Sequence, residues 1–531
     1  MDREGMGPVK SRYEKLTGDR RPFLDRAREY SKLTIPYLMP PEGHTASQNL
    51  PTPYQSVGSS AVNTLAAKTT LSIFPPNMWF APMSIDDNTE EELAVLAAEQ
   101  GSDPQQVGQQ IRENLARAER IALKWVEGTA LRVVMSSLMK HLIVCGNYCL
   151  NVDMAAQDPV VRGYRLDQYV CRKSPRGELV ELIMVEKVDP AILPDNVKAA
   201  CDCKEDTGDK SETEFVEVYT RIWRDGTKYN VMQELNGILV PDSEGTYPLD
   251  RLPYLVLNWE REEGEHYGRS YVEQFAGDLY AAEGLSKAMV EGAAAVSKVL
   301  FMVHPNGVTK KRTVSEAPNC AVMSGNAEDV SVIQANKMGD FNTAQTQLTD
   351  IIRRIGRAFI LQDSIQRDAE RVTAEEIRLM AEMLDQQLGG VYARMARELQ
   401  YPLANLILRG LEKAKRIPPI PRDEIKVQII TGVEALGRGQ ELQALRGFIA
   451  DIARSLGPEG LGFVKPNELL SRLAHSYNVK PDGLIKTQEE IQQEQQAAQQ
   501  AAQQEQMMGM VEKMAPQMMK GQGDGGQEAA A

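Results

Sequence analysis

The sequence predicts a mainly α-helical protein with one sheet-rich insert between its helical regions. Three observations support this fold class. Apolar residues recur at steps of three and four over long segments, residues 148–260 instead show short β-branched and aromatic runs between turn residues, and helical spacing resumes at Tyr271. The chain has 531 residues, which is enough for two to four folding units.

Helices dominate the residues that precede the insert. We predict one helix at 12–33, closed by Pro36, and a second in "SVGSSAVNTLAAKTTLSIF", closed by Pro75. The following "MWFAPMSI" predicts a short strand. Helical spacing then returns over 105–147, where apolar side chains recur at three- and four-residue steps.

The insert predicts six strands, because short runs of strand formers alternate with turn sequences such as "SPRG", "RDGT" and "NG". The predicted strands are "YCLNVDM", "VRGYRLDQYVCRK", "ELVELIMVEKV", "EFVEVYTRIWR", "TKYNVMQEL" and "LPYLVLNWE".

The helix predicted from Tyr271 to about residue 300 is rich in small residues. They are Gly277, Ala281, Ala282, Gly284, Ala288, Gly292 and Ala293 to Ala295. Each glycine weakens an isolated helix by ~1 kcal/mol, so close packing must compensate. The neighbour is either another part of the same core or a second copy of the same helix. A small compact lobe at 304–340 and a helix at 341–361 follow.

A polar break separates that helix from a long one. The break contains Gln366, Arg367, Asp368, Glu370 and Arg371. Thr373 and Glu376 then match a capping box, with Thr373 as the N-cap. A helix from 373 to 416 would be about 66 Å long at ~1.5 Å per residue. We predict kinks at Gly389, Gly390 and Pro402.

The remaining segments predict a strand in "KVQIIT", further helix to about residue 485 and a Gln/Met-rich tail at 486–531. The tail composition is typical of a partly disordered segment. An alternative is a terminal helix that packs only in an assembly.

Composition limits the possible functions. The net charge of −14 argues against a protein that grips nucleic acid over its whole surface. The N-terminal "MDREGMGPVKSRYEKL" has no apolar core, and no apolar run approaches the ~20 residues of a membrane span. We therefore expect a soluble protein made in the cytosol, without a membrane partner.

Catalytic and metal-binding patterns are absent from the sequence. It has no G-x-x-x-x-G-K-[ST], H-E-x-x-H or G-x-S-x-G motif, and its five histidines are scattered. Cys145 and Cys149 lie in an apolar segment and are interpreted as core residues, whereas Cys201 and Cys203 lack a second pair to complete a zinc site. We expect no enzyme activity, cofactor or metal, although paired carboxylates leave a nuclease open.

Five stretches, in this order, resemble the portal proteins, or head-to-tail connectors, of short-tailed (podovirus-type) bacteriophages. They are "YEKLTGDRRPFLDRA", "TPYQSVGSSAVNTLAAKTTLSIFPPNMW", "EHYGRSYVEQFAGDLYAAEGL", "ERVTAEEIRLMAEMLDQQLGGVY" and "ITGVEALGRGQEL". Together they span residues 13 to 442, while the C-terminal 90 residues show no such match.

The resemblance implies a portal fold that is mainly α with an α/β wing, divided into wing, stem, clip and crown. Twelve copies would form a dodecameric ring with a central channel. The implied divisions are the N-terminal wing part (1–263), first stem helix (264–300), clip (301–340), second stem helix (341–361), tunnel loop (362–372), long kinked wing helix and wing end (373–436), crown (437–485) and tail (486–531).

The same resemblance implies a function: a channel for packaging and ejecting double-stranded DNA at one capsid vertex of the virion, assembled in the host cytoplasm. Implied partners are further copies of the chain, viral DNA, terminase, tail adaptor and tail proteins, major capsid and scaffold proteins, and internal core proteins. Twelve helices ~10 Å wide would form a circle roughly 38 Å across at their axes, with an opening of roughly 28 Å.

The resemblance also assigns the polar break to the channel wall. Arg367 and Arg371 would make transient phosphate contacts beside Asp368 and Glu370, because a few cations on an acidic wall let a duplex slide. An alternative is a solvated loop whose charges pair with each other. Two other functions stay open for the whole chain, namely a DNA-packaging ATPase or nuclease and a capsid scaffold protein without a DNA channel.

Overall fold

The computed structural model describes residues 9–45, 47–74, 79–85, 95, 104–154, 159–200, 215–296, 300–316, 322, 324–333, 338–361, 388–419, 427–429, 447–452, 454–455 and 469–470. The chain divides into two compact units, Met1–Ala435 and Leu436–Ala531. In the second unit the described residues are helical. The predicted crown lies mostly outside the described residues, and the predicted tail lies wholly outside them.

Ten α-helices are described by their bounds. They are α1 (Val9–Leu33), α2 (Val57–Ile73), α3 (Pro104–Gly128), α4 (Leu131–Cys145), α5 (Asp195–Ala200), α6 (Tyr271–Gln274), α7 (Ala276–Val296), α8 (Lys311–Glu316), α9 (Met338–Ala358) and α10 (Tyr401–Lys413). Helical backbone also covers 388–395, and a π-helical turn at Ala396–Gln400 joins it to α10.

The helical region predicted at 105–147 is divided into α3 and α4. The Thr129 hydroxyl donates to the Val126 carbonyl at 3.2 Å, so the side chain competes for a helical acceptor just after Gly128, a weak helix former.

No single described helix is long and apolar enough to cross a membrane. The segments Gln110–Gly128 and Leu131–Cys145, bent by 73°, meet those criteria only as a pair, by length and composition.

Thirteen described strands form four sheets. Their bounds are β1 (Met83–Ile85), β2 (Asn147–Asp153), β3 (Val160–Tyr164), β4 (Tyr169–Lys173), β5 (Leu179–Val188), β6 (Val216–Asp225), β7 (Lys228–Leu235), β8 (Ile238–Leu239), β9 (Gly245–Pro248), β10 (Tyr254–Asn258), β11 (Leu300–Val303), β12 (Val330–Ile333) and β13 (Val427–Ile429). The largest sheet has the order β4-β5-β6-β7-β8, with β9 also on β7. The others are β10-β2-β3, β1-β13 and β11-β12.

The predicted strands of the insert are confirmed, with two differences. The segment "VRGYRLDQYVCRK" is two strands in different sheets, because a 3₁₀ turn at Leu166–Gln168 redirects the chain between β3 and β4. Strands β8 and β9 were missed by the sequence analysis. They have two and four residues, so neither is long enough to show an alternating pattern.

The main core joins the helices to the three-stranded sheet. Leu65 of α2, Met135 and Leu142 of α4, and Leu150 of β2 are fully buried in one apolar cluster. Cys145 and Cys149 are buried free thiols in this cluster, as predicted, although Cys149 lies in β2 beyond the left-handed Gly146 that ends α4.

Helix α1 is attached to the six-stranded sheet by charged groups. Glu181 of β5 accepts from Arg12 at 2.7 Å and pairs with Arg221 at 2.8 Å, and the Glu234 carboxylate accepts from the backbone N–H groups of Val9 and Lys10. Burial raises the pKa of Glu181, but the hydrogen bond from Arg12 and the charge of Arg221 outweigh it and leave this pKa below its ordinary value.

The depressed pKa has a consequence for the acid stability of the fold. The ion pairs of Glu181 stabilise the folded chain above the unfolded pKa of about 4.3, and this contribution is lost as the pH falls through the folded value.

We expect Glu181→Gln to lower the free energy of unfolding by about 3 kcal/mol at neutral pH, because it leaves two arginines without their buried carboxylate. The matched control is Glu178→Gln, which removes an exposed pair with Arg224 and should cost less than about 1 kcal/mol. Denaturant unfolding measures both. Equal losses in the two variants would contradict the assigned role of Glu181.

Candidate functional site

A helical hairpin formed by α7 and α9 is the candidate site. The two helices pack together along a seam that includes Leu279 and Ala282 of α7 and Ile351 and Ile355 of α9, all buried. Between the helices, β11 and β12 pair antiparallel from Leu300↔Ile333 to Val303↔Val330. The described residues of this region thus include two packed helices and a two-stranded sheet that lies between them in the sequence.

Aromatic side chains fix the hairpin to the body of the unit. Tyr271, Phe275 and Phe359 contact one another with ring centroids 5.1–5.5 Å apart, and Trp259 lies 5.6 Å from Tyr271. Edge-on aromatic contacts of this kind add ~0.5–1.5 kcal/mol per pair to the burial of the rings. The cluster joins the start of α7 to the end of α9.

The end of α9 is fixed by three further hydrogen bonds. The Tyr271 hydroxyl donates to the Ala358 carbonyl at 2.8 Å, the buried Lys68 ammonium donates to the Ile360 carbonyl at 2.7 Å, and Leu361 N–H donates to the Gly356 carbonyl at 2.7 Å. Together with the φ of +55° at Ile360, this last bond defines a Schellman-type helix end. A β-branched residue is strained at positive φ, so the surrounding contacts must hold it there.

Two further contacts join α7 and α9. Arg354 pairs with Asp278 at 2.7 Å. At Gly292, an added Cβ would lie 2.8 Å from Cζ of Phe341. Because Gly292 has no side chain, the Phe341 ring can pack against α7 at this position. Close packing within one chain is therefore confirmed for this glycine.

The face of α7 that points away from the buried Leu279 carries small residues that are open to solvent over most of its length. Gly277, Ala281, Gly284 and Ala288 are exposed and recur at steps of four, three and four, which aligns them on one face of the helix. An added Cβ at Gly277 or Gly284 would meet no described atom within 4 Å. Within the described part of one chain, the hairpin does not use these small residues for packing.

The outward face of α9 changes in character along the helix. Its first exposed residues are polar and uncharged, namely Asn342, Thr343, Gln345, Thr346, Gln347 and Thr349. The hydroxyls of Thr346 and Thr349 donate to helix carbonyls four residues earlier, at 2.9 and 2.8 Å. The last two turns instead carry the arginines described next.

Arg353 and Arg357 lie on the side of α9 opposite to its buried seam. Arg353 is two residues from both Ile351 and Ile355, which is about 200° around a helix. Its guanidinium pairs with the exposed Asp350 at 3.2 Å. Arg357 is exposed and, within the described part of the chain, makes no ion pair.

The lobe between the helices is held by Asp329. Its carboxylate accepts from Thr309 N–H at 3.0 Å, and its carbonyl accepts from His304 N–H at 2.8 Å. The hydrogen bond from Thr309 lowers the pKa of Asp329. Val308 and Val322 nearby are among the most exposed apolar side chains described.

The predicted loop residues Gln366, Arg367, Asp368, Glu370 and Arg371 lie outside the described residues, as do Thr373 and Glu376. Their roles stay predictions. The described chain stops at Leu361, directly after the fixed end of α9, and resumes at Leu388.

The predicted kink residues lie in the described part of the long helix. Gly389 and Gly390 are helical, and Pro402 lies in the first turn of α10. The π-helical turn Ala396–Gln400 precedes Pro402, and Tyr401 N–H donates to the Ala396 carbonyl. Pro402 has no N–H to donate to a helical carbonyl, and the wider turn before it accommodates this missing hydrogen bond.

The outward position of Arg353 and Arg357 was not predicted. The signal was present in "IIRRIGRAF" (351–359), where Ile351, Ile355 and Phe359 mark the buried side at four-residue steps. This spacing distinguishes Arg354, which pairs with Asp278 of α7, from Arg353 and Arg357, which lie on the side opposite to the buried residues.

Among the described residues, no group of three or more His, Cys, Asp or Glu side chains could hold a metal ion. Burial raises the pKa of the Cys145 and Cys149 thiols above their ordinary value, so neither is a ready nucleophile. The hairpin presents a face of small residues on α7 and a polar face on α9, and the last two turns of the polar face carry arginines.

Comparisons with known proteins match most of the chain. The model of the family described as "Bacteriophage head to tail connecting protein" matches residues 7–485. A portal protein of Escherichia phage T7 is 34% identical over 489 residues, which cover 91% of this chain and 89% of the relative. A portal protein of Enterobacteria phage T3 is 33% identical over 496 residues, which cover 92% and 90%.

Among solved structures, a chain from the neck of a native GTA particle, computed with C12 symmetry, aligns with 78% of this chain. The alignment covers 89% of that chain, with 12% identity and a TM-score of 0.34.

We expect Gly292→Leu to lower the free energy of unfolding by about 1–3 kcal/mol, because the new side chain must displace Phe341 from the α7–α9 seam. Gly18→Leu in α1 is the control, since an added Cβ at this exposed helical position meets nothing within 4 Å. Denaturant unfolding at fixed chain concentration measures both. A Gly292→Leu chain as stable as the control would contradict the packing role of this glycine.

Proposed function

Because this chain belongs to the bacteriophage head to tail connecting protein family, we propose that copies of it form a ring around a channel for double-stranded DNA at one capsid vertex. The chain is a phage portal, and its role is structural. The proposal adds a dodecameric ring, with the α7–α9 hairpin as the stem and residues 301–340 as the clip.

The observation that carries this proposal is the extent of the similarity. Relatives named portal protein match about nine tenths of this chain, including the hairpin and both segments that flank it. A match confined to one unit could reflect a shared module. A match over both units supports the same role for the whole chain.

The open face of α7 supports the ring. Gly277, Ala281, Gly284 and Ala288 have small or no side chains, so a helix of the neighbouring copy can approach closely there. The apolar, small face of α7 loses less by leaving water than the polar outward face of α9. We therefore assign α7 to the contact between copies and α9 to the wall that stays wet.

The remaining parts of the proposal follow the family. The tunnel loop at 362–372 would reach the channel beyond α9, with Arg367 and Arg371 beside Asp368 and Glu370. Terminase and the tail adaptor would dock at the clip, capsid and scaffold proteins at the wing, and internal core proteins at the crown. Assembly would take place in the host cytoplasm before the ring enters the virion.

Electron microscopy of the purified chain tests the ring directly. We expect closed rings whose axial opening passes a B-form duplex, and no ATP hydrolysis by the same preparation. A compact monomer, or an assembly without a central opening, would exclude the channel. Measurable ATPase activity would instead favour a packaging enzyme.

We expect Gly284→Leu to leave the chain folded but to prevent closed rings from forming, because a leucine side chain would separate neighbouring copies at α7. Gly18→Leu, another exposed helical glycine with free space around it, should assemble normally. Light scattering and electron microscopy measure the assembly, and circular dichroism checks the fold. Normal rings from Gly284→Leu would remove α7 from the contact between copies.

We expect the double variant R367A/R371A to form intact rings and yet to impair DNA packaging or retention, because it removes the cations of the proposed tunnel loop. R367K/R371K keeps the charges and should behave as the wild type. The amount of DNA in particles assembled with each variant is the measurement. Normally filled particles from R367A/R371A would refute the role of the loop arginines.

A further inference from the structure

We propose that Arg353 and Arg357, on the outward face of α9, form a second phosphate-contact site for duplex DNA, separate from the tunnel loop. The inference rests on the proposed function, since it needs α9 to line a DNA channel. It adds a place on the channel wall where the duplex is held and a longer stretch beside it where the duplex slides.

The first support is the position of the two guanidinium groups. They lie four residues apart, one turn of helix, on the side opposite to the buried Ile351 and Ile355. Neither is used for packing within the described part of the chain, whereas Arg354 between them reaches Asp278 on α7. All three arginines are exposed, but Arg354 is tied to α7 by its ion pair, whereas Arg353 pairs within α9 and Arg357 makes no ion pair among the described residues.

The second support is the net charge of this face. Asp350 is the one acidic group that pairs with the cluster among the described residues, through Arg353 at 3.2 Å with both side chains more than half exposed. An exposed pair of this kind is weak and exchanges readily for a phosphate. Among the described residues of this face, two arginines and one carboxylate leave one net positive charge per chain.

The third support is the contrast with the rest of the helix. Over 342–349 the exposed residues of α9 are uncharged, and the Thr346 and Thr349 hydroxyls already donate to backbone carbonyls. This stretch has no cation to hold a phosphate. Phosphate contacts on α9 are therefore confined to its last two turns, so the number of counterions released along the channel stays small.

The fourth support is the rigidity of the end of α9. The carbonyls of Ala358 and Ile360 are fixed by Tyr271 and Lys68, and Phe359 is buried in the aromatic cluster. Arg357 lies one residue before this anchor. A cation presented from a fixed helix end keeps a constant distance from the channel axis.

A simpler role for these arginines is stabilisation of the helix end. Cations in the last turn interact favourably with the helix dipole, typically by 0.3–1 kcal/mol. That role concerns the stability of the chain and has no reason to affect DNA. The two roles therefore differ in which measurement responds to replacement of the arginines.

The test uses the full chain assembled into rings. Binding of linear duplex DNA is measured over a series of salt concentrations for the wild type, R353Q/R357Q and R353K/R357K. We expect R353Q/R357Q rings to bind DNA more weakly, with a slope of log Kobs against log salt that is shallower by about 0.9 for each phosphate that the ring no longer neutralises. R353K/R357K should restore the wild-type slope.

The matched control is R21Q/R172Q, which removes two exposed arginines of α1 and β4 and makes the same change in net charge. It should bind DNA with the wild-type slope. The inference is overturned if R353Q/R357Q rings keep the wild-type slope, if R21Q/R172Q changes it equally, or if the lysine pair fails to restore it.

Failure of the inference is distinguishable from failure of the proposed function. Wild-type rings with a duplex-wide opening, together with an unchanged slope for R353Q/R357Q, would refute only the role of these arginines. Absence of such rings in the wild type would refute the channel and this inference together.

Discussion

The anchor at the base of the hairpin is the interaction on which the rest of the site depends. The rings of Tyr271, Phe275 and Phe359 meet there, and Lys68 from α2 reaches the carbonyl of Ile360. The anchor holds Ile360 at a positive φ that an isolated β-branched residue would avoid. Since the predicted tunnel loop begins directly after Leu361, the same contacts determine where that loop leaves the body.

The hairpin resolves a question that composition alone left open. A helix with many glycines needs close neighbours, either within its own chain or in another copy. Gly292 of α7 admits Phe341 of α9 in the same chain, whereas Gly277 and Gly284 face open space and are available to a second copy. Gly292 follows Ala288 by four residues and lies on the same face of α7, so this face packs within one chain at Phe341 and stays open nearer the start of the helix.

Much of the fold was predictable, because the signals were periodic and long. The helices from Val9 and Val57 and the long strands of the insert follow directly from apolar spacing. The break between α3 and α4 was not, because the apolar spacing continues across Gly128 and Thr129, where the chain turns. Pairing of β1 with β13, more than 340 residues apart, is set by tertiary packing and leaves no local trace. For the candidate site, the helices on either side of the lobe were predicted, and the role of the loop at 362–372 stays a prediction. The segment "RRIGR" looks like an ordinary basic helix end until the burial of Ile351 and Ile355 shows which arginines face outward.

The distribution of charge explains how an acidic protein can serve as a conduit for DNA. A wall rich in cations would hold each phosphate and make movement of the duplex slow, whereas a wall without cations would leave the duplex without a defined path. Along α9 the uncharged stretch is long and the cationic stretch is short, and the latter lies at the end of the helix that Tyr271 and Lys68 fix. Because the cations are few and one is already paired with Asp350, each contact is weak enough to break as the next phosphate arrives.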